Sequence, residues 1–196
     1  DYSLQEKAEQ IVKEEVDKAK GAKVGNGATL AIDSKTGQIL AMVGSKDYFG
    51  DEEEDLDKTF EGKFNVVTQG LRQPGSAIKP VTYATALKKG YTASTLLLDT
   101  ETVFPVTGQS DYKPMNYDGK FHGPMQVRFA LGSSINLPAV KMLAMVGIKD
   151  MLITANDLGL KTLAPTDANL RRFGLSLTLG GGEVRLIDLT SAYAAF

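Results

Sequence analysis

The stretch RQPGSAIKP, residues 72–80, places Ser76 three positions before Lys79, just after Pro74-Gly75 and just before Pro80. A Ser-x-x-Lys pattern is common by chance, and the chain holds a second copy at Ser110 and Lys113. Local conformation separates the two. Residues i and i+3 share a face only where a helix has begun. Pro80 is tolerated only in the first turn of a helix, where its missing N–H costs little, and Gly75 permits a tight backbone approach. Together they predict a helix from near Ser76 to Lys89, with two lysines in its last turn and Gly90 as the stop. Lys113 is followed by Pro114, which favours extended backbone before it, in a segment rich in Pro, Gly, Asn and Asp. The first copy is the one that can bring a hydroxyl and an amine together.

A helix N-terminus suits a nucleophilic serine, because backbone N–H groups and the partial positive charge there stabilise an oxyanion. Serine also needs a base. The only histidine, His122, lies in the irregular 102–124 segment and reads as a loop residue rather than a ligand, since no metal-binding partners accompany it. Lys79 is the nearby alternative. Its pKa must fall from about 10.4 to roughly 7–8, a shift worth on the order of 4 kcal/mol. Desolvation beside Ala77, Ile78 and Val81 acts in that direction. A capping serine with a snorkelling lysine would leave the same local sequence. A second polar pair, Ser134 and Asn136 in LGSSINLPAVK, sits between two helical patterns, with Pro138 opening the second. There a hydroxyl can pass a proton and an amide can hold a peptide group, or the turn can simply be a capped connection between helices.

Working outward, residues 3–20 read as an amphipathic helix, with Leu4, Ala8, Ile11, Val12, Val16 and Ala19 on one face and Gly21 at its end. The run ATLAID-SKTG-QILAMVG reads as an antiparallel hairpin. Its Lys35-Thr36-Gly37 is turn chemistry, with the glycine supplying positive φ. Segment 46–63, centred on DEEEDLD, lacks the ordered spacing of a calcium loop and reads as a solvated acidic loop. From 64 onward the pattern is mainly helical, with helices at 125–133, 138–146, 149–158 and 183–196 and a long surface loop at 102–124. The glycines at 180–182 do not form a phosphate loop, because no Lys-Ser/Thr follows them.

At 196 residues, with 42% apolar and 23% charged residues, the chain has the composition of an ordinary globular protein. Its formal charge of −2 provides no basic field for nucleic acid. It has no cysteine, which excludes disulfides, thiolate zinc sites and thiol catalysis. No apolar run reaches membrane-spanning length. The chain opens without methionine and stops at LTSAYAAF within a helical pattern, so it reads as a piece of a longer protein.

Ser-x-x-Lys, a Ser-Asp-Asn box and Lys-Thr-Gly together mark penicillin-binding proteins and class A β-lactamases; here the middle box reads Ser134-Ile135-Asn136. The blocks FNVVTQGLRQPGSAIKPVTYATAL, YKPMNYDGKFHGPMQVRFALGSSINLPAVK and ATLAIDSKTGQILAMVGSKDY resemble the transpeptidase domain of a class A (bifunctional) penicillin-binding protein, nearly continuously over residues 24–196. The resemblance implies an α+β fold of the penicillin-binding protein and β-lactamase type. Residues 1–23 would be a linker helix following a glycosyltransferase domain. Residues 24–196 would be the N-terminal part of the transpeptidase domain, with a hairpin at 24–49, a mainly helical portion at 64–196, and the C-terminal strands missing.

For the site, the resemblance implies Ser76 as nucleophile, Lys79 as its base, Ser134 as proton relay and Asn136 as the residue binding the acyl donor, with Arg72 and Gln73 shaping the approach. No metal or organic cofactor is implied. The ligands would be peptidoglycan stem peptides and β-lactams, on the extracytoplasmic face of the bacterial cell membrane. The family's functional Lys-Thr-Gly lies downstream of both serine motifs, so the copy at 35–37 does not count. Without it, acylation by the 196-residue chain alone is expected to be slow or absent, and open hairpin edges are expected to invite self-association. A β-lactamase-type serine hydrolase and a non-catalytic interaction module of the cell-wall machinery are the competing readings.

Overall fold

In the computed structural model, residues 1–50, 61–106, 108 and 110–196 are described; the centre of the acidic segment expected at 46–63 lies outside them. The chain divides into two compact units. The first comprises Asp1–Arg72, Leu158–Leu160 and Val184–Phe196, and the second Gln73–Asp157 and Lys161–Glu183.

The first unit begins with helix α1 (Tyr2–Lys18), capped by the Asp1 carboxylate accepting from Leu4 N–H. A 3-10 turn at Ala19–Ala22 follows, and the left-handed residue that ends it is Lys23, at φ 60°, rather than Gly21. Strands β1 (Thr29–Ile32) and β2 (Ile39–Val43) pair antiparallel in the expected hairpin. Asp33 Oδ1 accepts from Lys35 N–H at 2.7 Å and Thr36 N–H at 3.1 Å, while Gly37 takes φ 73°. The early Lys-Thr-Gly is therefore the hairpin turn.

The apolar face of α1 packs Val12 and Val16 on Val43. A Cβ on Gly27 would lie 2.8 Å from Val16 Cγ2, so that glycine permits the close packing. The polar face of α1 acts on the hairpin edge. The Asp1 ammonium donates to Leu40 C=O at 2.9 Å, and the Gln5 amide both accepts from Met42 N–H at 2.8 Å and donates to Met42 C=O at 2.9 Å. Side chains thus cover main-chain groups of β2 that the sequence suggested would stand open. Strand β3 (Leu71–Arg72) pairs with β6 (Val184–Arg185), and helix α7 (Leu186–Tyr193) packs against β1. The pattern at 183–196, expected to be one helix, therefore starts as a strand.

The second unit is built around helix α4 (Asn136–Val146), which buries Leu137, Ala139, Val140, Met142 and Leu143 and packs against α2 (Lys79–Lys88), α3 (Val127–Gly132) and α5 (Ile148–Asp157). A helix apolar on nearly every side belongs at the centre of a core. Strands β4 (Leu96–Asp99) and β5 (Gly123–Gln126) form an antiparallel ribbon against it. These strands correct the helical reading: Met125 and Gln126 pair with Leu97 and Leu96 instead of opening a helix, which begins only at Val127. The segment leading into β4 also supplies acceptors for the first turn of α3, with Val127 N–H bonding to Thr95 C=O and Arg128 N–H to Ala93 C=O. Helix α6 (Asp167–Arg172), capped by Thr166, and 3-10 turns at Lys161–Leu163 and Leu175–Leu179 complete the unit.

Gly180, at φ 97°, lies against the Gly75 backbone; a Cβ there would fall 2.3 Å from Gly75 N. The glycine run that is no phosphate loop thus supports the turn that carries Ser76. The α+β reading holds. Among the described residues, no helix is long and apolar enough to cross a membrane.

Candidate active site

Gly75 takes φ 56°, a conformation that only glycine adopts without strain, and starts a 3-10 turn over Gly75–Ile78 that runs into α2. Lys79 N–H donates to Ser76 C=O across this turn. A 3-10 turn eclipses residues three apart, so Ser76 and Lys79 lie on one face. The α-helix itself starts at Lys79, three residues later than the sequence suggested, and Pro80 sits in its first turn. Ser76 is exposed, and its hydroxyl makes no hydrogen bond among the described residues.

Lys79 is 1% exposed. Its Nζ donates to Ser134 C=O at 2.5 Å, Asn136 Oδ1 at 2.8 Å and Ser134 Oγ at 3.1 Å. Three acceptors satisfy the three protons of an ammonium. None carries a full charge, and burial lowers the Lys79 pKa from 10.5 to about 8. Loss of one proton would release one acceptor and leave a lone pair on nitrogen.

Ser134 occupies the turn between α3 and α4 at φ 53°, a left-handed conformation that costs a non-glycine residue roughly 1 kcal/mol. The turn is tied back by Ser134 N–H to Leu131 C=O and Ile135 N–H to Ala130 C=O, each at 3.0 Å. It directs both the carbonyl and the hydroxyl of Ser134 at one amine. Helix α4 starts at Asn136, two residues before Pro138, and neither Asn136 nor Ile135 caps it. Asn136 instead spans from Lys79 to Met115 C=O, to which its Nδ2 donates at 3.1 Å. Leu137 N–H is satisfied by Asn116 Oδ1 at 3.0 Å.

The structure therefore gathers Lys79, Ser134 and Asn136 by direct contact and sets the exposed Ser76 one turn away. Sequence reasoning missed Asn116, whose loop otherwise looks like polar surface. Among the described residues, no group of three or more His, Asp or Glu side chains is placed to hold a metal ion.

A buried lysine is thus bound to a serine-asparagine turn, with an exposed serine three residues before it at the head of the helix. Residues 27–178 match the family described as "Penicillin binding protein transpeptidase domain", and the chain belongs to that family. It is 39% identical over 171 residues to penicillin-binding protein 1A of Aquifex aeolicus (strain VF5), covering 87% of this chain and 21% of that protein. It is 35% identical over 196 residues to penicillin-binding protein 2D of Bacillus subtilis (strain 168), covering 99% of this chain and 25% of that one. The crystal structure of penicillin-binding protein 1A from Haemophilus influenzae superposes with a TM-score of 0.73 at 32% identity, over 87% of this chain and 23% of that one. The chain thus spans between a fifth and a quarter of the length of these relatives, and the resemblance noted in the sequence is borne out.

Proposed function

We propose that the protein carrying this chain is a peptidoglycan D,D-transpeptidase of the class A penicillin-binding type. The observation that carries this reading is the buried Lys79 amine, its pKa lowered by burial to about 8, clasped by Ser134 and Asn136, one turn from the exposed Ser76. Neutral Lys79 takes the hydroxyl proton as Ser76 Oγ attacks the penultimate D-alanine carbonyl of a stem peptide. Collapse of the tetrahedral adduct breaks the peptide C–N bond. Ser134 relays a proton from Lys79 to the departing nitrogen, and D-alanine leaves as an amine. An amine from a neighbouring strand then attacks the ester, forming the cross-link and restoring Ser76. A β-lactam, whose ring amide mimics the scissile bond, acylates the same oxygen.

Asn136 has two Nδ2 protons. One is used by Met115 C=O, which leaves the other for a donor carbonyl. On this reading the site works on the extracytoplasmic face of a bacterial membrane, in a protein that also carries a glycosyltransferase domain, as its likeness to class A penicillin-binding proteins implies.

The test is to incubate the full-length protein with a D-Ala-D-Ala donor peptide and an amine acceptor. Release of D-alanine with formation of cross-linked product, both lost in Ser76→Ala, is expected. Release of D-alanine with only the hydrolysed acid would indicate a hydrolase, and no release would overturn the reading.

A further inference from the structure

The 113–123 loop holds a buried polar network that the chemistry above does not use. Asp99, at the end of β4, is fully buried. Its Oδ1 and Oδ2 accept from Asn116 Nδ2 at 3.0 and 2.8 Å, and Oδ2 also accepts from His122 N–H at 2.9 Å and contacts His122 Nδ1 at 2.7 Å. The other ring nitrogen of His122 faces Asp118 Oδ2 at 3.1 Å. Lys141, one turn along α4, donates to Leu98 C=O and Thr100 C=O beside the same carboxylate. Asn116 Nδ2 also reaches Lys120 C=O at 2.7 Å. A buried carboxylate is costly unless its contacts are nearly complete, and these nearly are.

We propose that Asn116, held by Asp99, is a positioning residue that fixes the direction of the Asn136 amide and thereby the Lys79 amine. This rests on the transpeptidase reading. Asn136 could point its amide either way. Turned around, it would present NH2 to a lysine ammonium and its oxygen to Met115 C=O, two repulsive contacts. The observed orientation therefore depends on Met115 C=O being in place. Met115 itself is an exposed loop residue, a loose partner on its own. Its neighbour Asn116 removes that freedom. The Asn116 side chain binds Leu137 N–H, the residue after Asn136, so the loop carbonyl and the amide it orients are registered to the same helical turn. The helix cap and the amide-orienting carbonyl thus come from adjacent residues of one loop, anchored on one buried carboxylate.

A double-mutant cycle in the full-length protein tests this, reading the second-order rate constant for acylation by a fluorescent penicillin and the melting temperature of each variant. Asn116→Ala is expected to slow acylation roughly 30-fold, the loss of about one charge-linked hydrogen bond. Adding Asn116→Ala to Asn136→Ala is expected to change the rate less than about threefold, because the two act as a unit. Should Asn116→Ala melt below the assay temperature, Asn116→Ser, which keeps a small polar side chain and sets no charge beside Asp99, runs the same cycle at a temperature below its melting point. A wild type that labels, combined with variants whose effects multiply independently or with an Asn116 variant as fast as wild type, overturns the positioning role alone. A wild type that does not label overturns the transpeptidase reading and this proposal with it.

Discussion

The burial of Lys79 makes a quantitative prediction about the pH dependence of acylation. An ordinary lysine at pH 7 is neutral in roughly 3 molecules per 10,000, whereas one with a pKa near 8 is neutral in about one in eleven, a gain of ~300-fold in available base. The corresponding free energy is about 3 kcal/mol, supplied by a fold that buries the amine among the uncharged oxygens of Ser134 and Asn136. The sign follows from the direction of the shift: the base is absent below the lowered pKa and appears as pH rises through it. The acylation rate constant of the full-length protein with a fluorescent penicillin should rise about tenfold per pH unit up to about 8 and level off beyond it, because this constant reports the free enzyme's ionisations. Lys79→Arg keeps the positive charge but cannot lose its proton. It should be slower by at least ~1,000-fold and should not recover at pH 10. An inflection at or above pH 10, a flat profile, or an arginine variant within about tenfold of wild type would refute the assignment of Lys79 as the base.

Two further outcomes follow from the packing. Gly180→Ala combines a backbone at φ 97° with a methyl 2.3 Å from Gly75 N, so it should lower stability by about 2 kcal/mol or more and slow penicillin labelling of the protein that remains folded, as read by thermal melting and by rate. His122 has its pKa raised by its bond to Asp99 and next by Asp118, so the stability it contributes should be full below its ordinary value near 6.5 and fade as pH rises through the raised one. His122→Ala should therefore lower the melting temperature more at pH 5.5 than at pH 9, and an equal effect at both would show that the ring works by packing.

The parts of this site legible in the sequence were those whose causes are local. Gly75 and Pro80 fix the turn and the helix around Ser76 and Lys79 within a few residues, and Asp33 with Gly37 fixes the hairpin turn. The β4–β5 ribbon was not legible, because the Leu-Leu-Leu of 96–98 has neither helical nor strand periodicity and its partner Met125 lies 28 positions from Leu97 in sequence. Asn116 was missed for the same reason: it caps α4 from 21 residues away, while Asn136, at the head of that helix, is bonded to Lys79 and Met115 instead. Gly180–Gly182 carried a signal that was only half read. Three glycines in a row exceed what a turn requires, and such a surplus points to close backbone approach.

In the proposed mechanism Ser76 Oγ forms the covalent bond to the penicillin. Peptide mapping by mass spectrometry after benzylpenicillin treatment of the full-length protein tests it most directly. One penicilloyl group on the peptide bearing Ser76, absent from Ser76→Ala, is the predicted result; an adduct on Ser134, or one that survives Ser76→Ala, would contradict it.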